Sequence, residues 1–312
     1  VKVSLVITNW NGRKLLEECL PSILKVVDKD KDREYEVLIV DDCSQDNSVE
    51  FIKSNFPSFK VLIPEHNLGF QGATNFGVLN SSGEVVILLN NDLKVREDSF
   101  FPLLEYFKRE DVFAVGGKLF QFDETSYLAG NYRIIFKKGH FSIFTAPQSD
   151  TSYYIPFVCG GAGAFDKKKF LELGGFDNLF YPLYYEDVDI CYRAWKRGWK
   201  CIYEPRSLMY HKHQATITTQ VKKVKYLSGC NNYLFTWKNM TDFSYILAHL
   251  FFVPLFLLRD LIKRNFRFWR CIFKALKKLP QVLQKRKKEK GRDTLSDKEV
   301  LALFGAPYQN NL

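Results

Sequence analysis

Along the first hundred residues, short runs that are apolar throughout alternate with stretches whose apolar positions recur every three to four residues. Val3-Ser-Leu-Val-Ile-Thr8, Glu36-Val-Leu-Ile-Val40 and Glu84-Val-Val-Ile-Leu-Leu89 are rich in β-branched residues and have the length of strands buried on both faces of a parallel sheet. Between them, 13–27, 46–55 and 71–80 carry helical patterns, and further strands are expected near 59–63 and 112–115. Strand and helix in alternation predict a right-handed, doubly wound α/β sheet. The stretch 116–155 is rich in Phe, Tyr, Gly and Lys without a clean period, and reads as irregular strands or a mobile loop. Cys159-Gly-Gly-Ala-Gly-Ala164 reads as a glycine-rich turn and 167–173 as a short helix. An amphipathic helix follows from Glu186 to Lys196 or Arg197, stopped by Gly198, with a strand near 200–203 after it.

Charge changes this picture only at one end. The chain of 312 residues carries +10, but fourteen Lys or Arg against two acids lie between Arg259 and Arg292, so the remainder is near −2. A basic segment confined to a tail points to an anionic surface rather than to a nucleic-acid groove. Just before it, 243–258 holds no formal charge, yet it is short for a membrane span and contains Pro254. A buried core helix would explain it. The interleaving of Phe266, Phe268, Trp269, Ile272 and Phe273 with the basic residues favours an interfacial segment, with membrane contact through 243–292 and a solvated stretch at 285–292. The expected division is therefore a body over 1–240 and a helical, basic, membrane-associating region over 241–312. Seven scattered cysteines without a CxxC spacing argue against a disulfide framework or a zinc site. A reducing, cytoplasmic setting at the inner face of the cell membrane is expected, in which the sequons at Asn80 and Asn239 are silent.

The candidate chemistry sits where apolar runs end. Val40-Asp41-Asp42 and Leu89-Asn90-Asn91-Asp92 both close a strand in acid, and Glu186-Asp187-Val188-Asp189 opens a helix with three carboxylates. Acids suit a first helical turn on their own account. Repeated at successive strand ends, they build a polar crevice where open α/β sheets bind ligands. Asp41 or Asp42 there suits a ribose or base, while Ser44 and Asp46 are explained as caps. Asn67-Leu-Gly-Phe-Gln-Gly-Ala-Thr-Asn75, with Gly69 near its start, lets backbone approach a ligand at a helix N-terminus. It is neither GxGxxG nor a P-loop. Asp92 is placed for a hard divalent cation, and His211 and His213 are either structural or metal ligands.

Together these segments resemble the family 2 glycosyltransferases over roughly residues 1–240. The resemblance rests on Val6-Ile-Thr-Asn-Trp-Asn-Gly12, Val40-Asp-Asp42, Asn67-Leu-Gly-Phe70, Leu89-Asn-Asn-Asp92 and Tyr185-Glu-Asp-Val-Asp-Ile-Cys-Tyr-Arg193. Within the family the chain is most similar to bacterial rhamnosyltransferase-like members of cell-surface polysaccharide synthesis. The resemblance implies a GT-A fold, a Rossmann-like and mostly parallel central sheet flanked by helices. It implies a nucleotide-sugar donor, with Thr8, Asn9, Asn11, Asp41 and Asp42 at the nucleoside and Asn67, Gly69, Asn75, Asn90 and Asn91 along the diphosphate sugar. Asn90-Asn91-Asp92 matches the family's DXD metal motif with Asn in place of the first acid, so Asp92 remains the one metal carboxylate. His211 completes the implied Mg2+ or Mn2+ site. Asp187 matches the catalytic base, beside Glu186. Gly160, Gly161 and Asp189 are candidates for the acceptor, a saccharide or lipid-linked hydroxyl whose choice is expected to lie also in 116–155. The implied reaction is a single displacement with inversion. A dinucleotide-dependent oxidoreductase lacks its GxGxxG after the first strand. A non-catalytic nucleotide-sugar or nucleic-acid binder would have no use for Asp92, Asp187 and His211 together.

Overall fold

The computed structural model describes residues 2–212 and 221–304, with only the backbone of 221–223. The first half alternates as β1 (Lys2–Asn9), α1 (Arg13–Lys29), β2 (Glu34–Asp41), α2 (Ser48–Asn55), β3 (Lys60–Leu62), α3 (Gly69–Leu79) and β4 (Val85–Asn90). Next come β5 (Leu93–Val95), α4 (Phe100–Leu104), β6 (Val112–Gln121), β7 (Tyr127–Ala129), β8 (Tyr132–Lys137), β9 (His140–Thr145) and β10 (Tyr153–Tyr154). Then β11 (Ala162–Asp166), α5 (Lys167–Glu172), α6 (Glu186–Lys196) and β12 (Lys200–His211) complete the sheet, and α7 (Val221–Asn239), α8 (Phe243–Ile262), α9 (Arg267–Lys277), α10 (Leu279–Glu289) and α11 (Asp297–Ala302) follow.

The main sheet runs β10-β12-β6-β11-β4-β1-β2-β3, with β5 on β12 and β7 on β6. Residues 85–89 of β4 are all buried, because successive side chains enter opposite layers. Val6, Leu38, Val86 and Leu88 pack with Ala73 and Val78 of α3 and Ile190 of α6. Leu5, Ile7, Ile39, Ile87 and Leu89 pack with Leu16 and Leu20 of α1 and Phe100 of α4. β1, β2, β3 and β4 pair in parallel, as do β6 and β12. The centre departs from the expected parallel pattern. β11, within the stretch expected as a glycine-rich turn, lies antiparallel between β4 and β6. Small residues are needed there: a Cβ on Gly163 would come within 2.2 Å of Val158 Cγ1. The segment 116–155 forms the end of β6, β7, the separate β8–β9 hairpin and β10 rather than a loop.

The C-terminal helices share the core of the sheet. Val253, Cys271, Ala275, Val282, Val300 and Phe304 belong to one apolar cluster with Phe165, Tyr192 and Trp195. Asp297 is fully buried and accepts from Tyr192 Oη at 2.7 Å, Lys196 Nζ at 3.1 Å and the backbone N–H of Asp242 at 2.7 Å. Arg286, expected in a solvated stretch, lies on α10 and donates to the carbonyls of Trp237 and Met240. Pro254 sits inside α8 without ending it. With a mean hydropathy of 1.8 and only 17% of its most apolar window buried, α8 is long and apolar enough to cross a membrane by length and composition. Its Phe243, Leu250, Phe251, Leu255 and Leu258 are exposed.

Candidate active site

Parallel pairing brings the polar strand ends side by side: Asn9 of β1 faces Asp41 of β2, and Thr8 faces Asn90 of β4. Asn9 is the link among them. Its Nδ2 donates to Asp41 Oδ2 at 2.8 Å, and its Oδ1 accepts from Asn91 Nδ2 at 2.7 Å. Asp42 receives the backbone N–H groups of Leu68 and Gly69 at 2.7 and 2.8 Å, which fixes the start of α3 against β2. Gly69 has φ +67, and a Cβ there would strike the Tyr181 ring at 2.6 Å, so glycine is required.

A cleft of about 620 Å3 opens at these ends. Thr8, Asn9, Asp42, Asn90, Asn91, Asp92, Gly160, Gly161, Glu186, Asp187 and His211 all line it. His211 closes β12, which pairs with β5 so that His211 stands opposite Leu93, next to Asp92. Its Nε2 lies 3.1 Å from Asp92 Oδ2. The other carboxylate oxygen, Asp92 Oδ1, is buried without a hydrogen-bond partner. An orphaned carboxylate oxygen beside an imidazole is a donor set that fits a divalent cation. Among the described residues no group of three or more His, Cys, Asp or Glu gathers for a metal. His213 lies outside the described residues.

The opposite wall is the start of α6. Tyr184 and Tyr185 precede it with φ of +71 and +84, a left-handed pair that non-glycine residues adopt only when their surroundings impose it. Asn231 of α7 imposes it by donating its side-chain amide to the carbonyls of Phe180, Leu183 and Tyr184 at 2.9–3.0 Å. Glu186 and Asp187 thereby enter the cleft edge. Asp187 accepts from its neighbour Val188 N at 2.8 Å and from Gly160 N at 3.3 Å, and Glu186 accepts from Gln71 Nε2 at 3.1 Å. Burial pushes both carboxyls above the usual range, Glu186 further because the Asp187 charge stands beside it. A Cβ on Gly161 would overlap Asn90, and one on Gly160 would press on Phe176 and Asp187, so this pair of glycines makes the room between the strand end and Asp187.

Profile comparison decides what this constellation belongs to: the model of glycosyl transferase family 2 matches residues 4–174, over half of the chain. The chain belongs to that family. Glycosyltransferase GlyG of Streptococcus pneumoniae is 29% identical over 133 residues, 42% of each chain. The poly-beta-1,6-N-acetyl-D-glucosamine synthase of Staphylococcus epidermidis is 26% identical over 212 residues, 67% of this chain and 49% of that one. The chain thus spans about half the length of the curated relatives it matches. Among solved structures, S. aureus TarS 1-349 in complex with UDP-GlcNAc superimposes with a TM-score of 0.56 at 15% identity, covering 99% of this chain and 93% of that one. GalNAc-T7 with UDP, GalNAc and Mn2+ gives 0.58 at 19% identity, covering 76% and 48%. These neighbours are GT-A glycosyltransferases, and the fold is GT-A.

Several residues singled out from the sequence of this family 2 member lie outside the cleft lining. Asn75 clamps the backbone of Phe176 through both ends of its amide, at 2.8 Å each. Asn67 and Gly69 position Asp42, while Asp41 is held beneath by Asn9 and Ser44. Asn11 accepts from Gln45 N and belongs to a separate small pocket. Asp189 is fully buried between Lys238, Arg193 and Asn239 at 2.7–2.8 Å, which makes it a structural anion rather than an acceptor contact. The cleft adds Trp10, Phe70, Leu128, Tyr132, Thr145 and Tyr184. Trp10 and Phe70 stood inside quoted motifs, and Tyr184 directly precedes one. Tyr132 and Thr145 come from the hairpin, where no periodicity announced them.

Proposed function

We propose that this protein is an inverting glycosyltransferase that moves a sugar from a nucleoside-diphosphate donor to an acceptor hydroxyl. The observation that carries the reading is the meeting, in one cleft, of the Asp92–His211 pair with its orphaned oxygen and the half-buried Asp187 on the facing wall. A sugar hydroxyl is a poor nucleophile at neutral pH, so its proton must leave as attack develops. Asp187 takes it. Its carboxyl, raised to about 6, is ionised at neutral pH yet basic enough to accept a proton. The N–H of Gly160 holds Oδ2, which aims the carboxylate across the space left by the two glycines. Glu186 accepts from Gln71 Nε2, and burial together with the neighbouring Asp187 charge raises its proton affinity above the usual carboxylate range. A single base on this wall, facing the Asp92–His211 pair across the cleft, suits a single in-line displacement.

Asp92 and His211 would hold Mg2+ or Mn2+, which as a Lewis acid supplies neutralisation of the charge developing on the leaving diphosphate. Asn9, Asn90 and Asn91 form the neutral amide floor beneath the donor, and Asp42 stands at the nucleoside end. The body works at the cytoplasmic face of a membrane, with the exposed apolar side of α8 at the headgroup boundary and the basic residues of α9 and α10 attracted to anionic lipid by about 1 kcal/mol each near the surface. Purified protein given Mg2+ or Mn2+ and a panel including UDP-N-acetylglucosamine, GDP-mannose and dTDP-rhamnose is expected to bind one donor and release its nucleoside diphosphate. Silence toward every donor would refute the reading, and undiminished release in excess EDTA would remove the cation from it.

A further inference from the structure

A second cavity, of about 700 Å3, lies between the β8–β9 hairpin and helices α7, α8 and α9. Among the described residues its lining includes Lys137, Lys138, Lys225 and Arg267 and no acidic residue. Its interior is aromatic, with Phe256 and Phe268 stacked at 5.6 Å and His140 edge-on to Phe256 at 4.8 Å. Three lining residues carry a buried polar atom without a hydrogen bond: Tyr233 Oη, His140 Nε2 and Asn232 Oδ1. Burial lowers His140 to about 4, so its ring is neutral and the cations around the mouth define the field. The unspent Tyr233 hydroxyl, an excess of positive charge and an apolar interior together suit one kind of ligand, an anionic head on an apolar chain.

The cavity also faces both places such a ligand would need. Phe256 belongs to α8, whose Leu255 and Leu258 neighbours are exposed toward the proposed membrane. Val224 lines both this cavity and the catalytic cleft, and Tyr185, the residue before Glu186, lines the cavity too. Asn232 Nδ2 donates to Tyr185 Oη at 2.6 Å, so a ligand in the cavity touches the support of the catalytic pair. We propose that this cavity binds the phosphate end of a lipid phosphate that carries the acceptor sugar, with the chain leaving along α8 and the sugar entering the cleft past Val224. The word acceptor rests on the glycosyltransferase reading; the lipid-phosphate site does not.

Binding to the full chain is measured by calorimetry with three probes below their micellar concentrations: dodecyl phosphate, dodecyl maltoside and inorganic phosphate. Dodecyl phosphate is expected to bind at least tenfold more tightly than either of the others. Charge reversal by Lys225→Glu with Arg267→Glu, all at exposed positions, is expected to weaken it tenfold or more. Lys137→Glu with Lys138→Glu, on the other wall, gives the same loss should the first variant not fold. Lys298→Glu, outside the cavity, leaves it unchanged. Equal binding of the maltoside would make the cavity merely apolar, equal binding of inorganic phosphate would make it a free-anion site, and an equal loss in Lys298→Glu would reduce the effect to net charge; each overturns the proposal. No donor is present, so failure here leaves the nucleotide-sugar reading intact, and failure of the donor panel leaves this one intact.

Discussion

Helix α6 carries Asp187 and Asp189 two residues apart, the first half-buried and the second fully buried, and the protein treats them in opposite ways. Asp187 lines the cleft with only backbone N–H groups as partners, and desolvation outweighs their opposing effect and raises its proton affinity. Asp189 faces the C-terminal helices and is gripped by the Lys238 ammonium and the Arg193 guanidinium. Nearby Asp177 shows the same treatment: burial alone would raise it, but Lys238 and Lys285 hold it well below the usual carboxylate range. Charge that is matched builds a seam; charge left to amides remains available for proton transfer. With Asp187 as the proposed base, the two faces of one helix divide stability from chemistry.

The comparison breaks most visibly at the seam. Removing one partner of a buried ion pair costs about 3–5 kcal/mol, because the other charge stays behind unmatched. Asp297→Ala, which strands Lys196 and Tyr192, is therefore expected to lower unfolding stability by that amount in urea titrations. Deletion from Phe243 onward removes Asp297, Glu289 and part of the common core, and is expected to yield no folded body. A loss below about 1 kcal/mol, or a folded truncation, would show that α10 and α11 merely rest on the surface.

The cleft side responds in function before it responds in stability. Asp92→Ala and His211→Ala are each expected to raise the Mn2+ concentration for half-maximal turnover by about tenfold or more, with little change in melting temperature. Unchanged metal dependence in both would assign the cation to other residues.

A smaller effect should appear with pH. Glu186 and Asp187 have folded-state affinities for protons above their unfolded ones, so the fold gains from protonation and loses stability as pH rises from the ordinary carboxyl range through about 6 and about 8. Melting temperature is expected to decline over that window by a few degrees, about 2–4 °C per kcal/mol for a chain of this size, and to decline less in Glu186→Gln. Turnover runs the other way on its acid limb, rising as Asp187 ionises. An alkaline decline of equal depth in Glu186→Gln would mean that this carboxyl is not the strained group.

Membrane attachment should change least in energy per residue. Leu250→Glu with Phe251→Glu, on the exposed side of α8, is expected to reduce binding to anionic vesicles severalfold, as is 0.5 M salt, roughly in line with screening of surface charge. Salt-independent, carbonate-resistant association would instead indicate insertion.

The sequence made the strand-end crevice readable because β-branched runs that stop in acid announce both a buried strand and its polar end; Asp41, Asp42 and Asp92 stand at such ends, whereas Asp187 was singled out as an acid opening a helix. Two features resisted. β11 is built from Ala162-Gly-Ala-Phe165, residues chosen for close approach to Val158 rather than for bulk, and such a stretch looks like a turn. Asp187 and Asp189 were equally acidic in the sequence, and what separates them is Lys238 and Asn239, some fifty residues on, together with a helix pack that no local pattern encodes. Likewise the family resemblance implied a donor contact for Asn75, whereas its amide is spent on the Phe176 backbone.

The account turns on the claim that Asp187 removes the acceptor proton in a cleft otherwise complete without it. Donor affinity by calorimetry and transfer by product formation, measured side by side for Asp187→Asn, test this directly. The amide keeps the shape and cannot accept the proton, so donor affinity should stay within about twofold while transfer falls by roughly two to four orders of magnitude. Transfer near the wild-type rate, or donor binding lost in proportion to transfer, would contradict it.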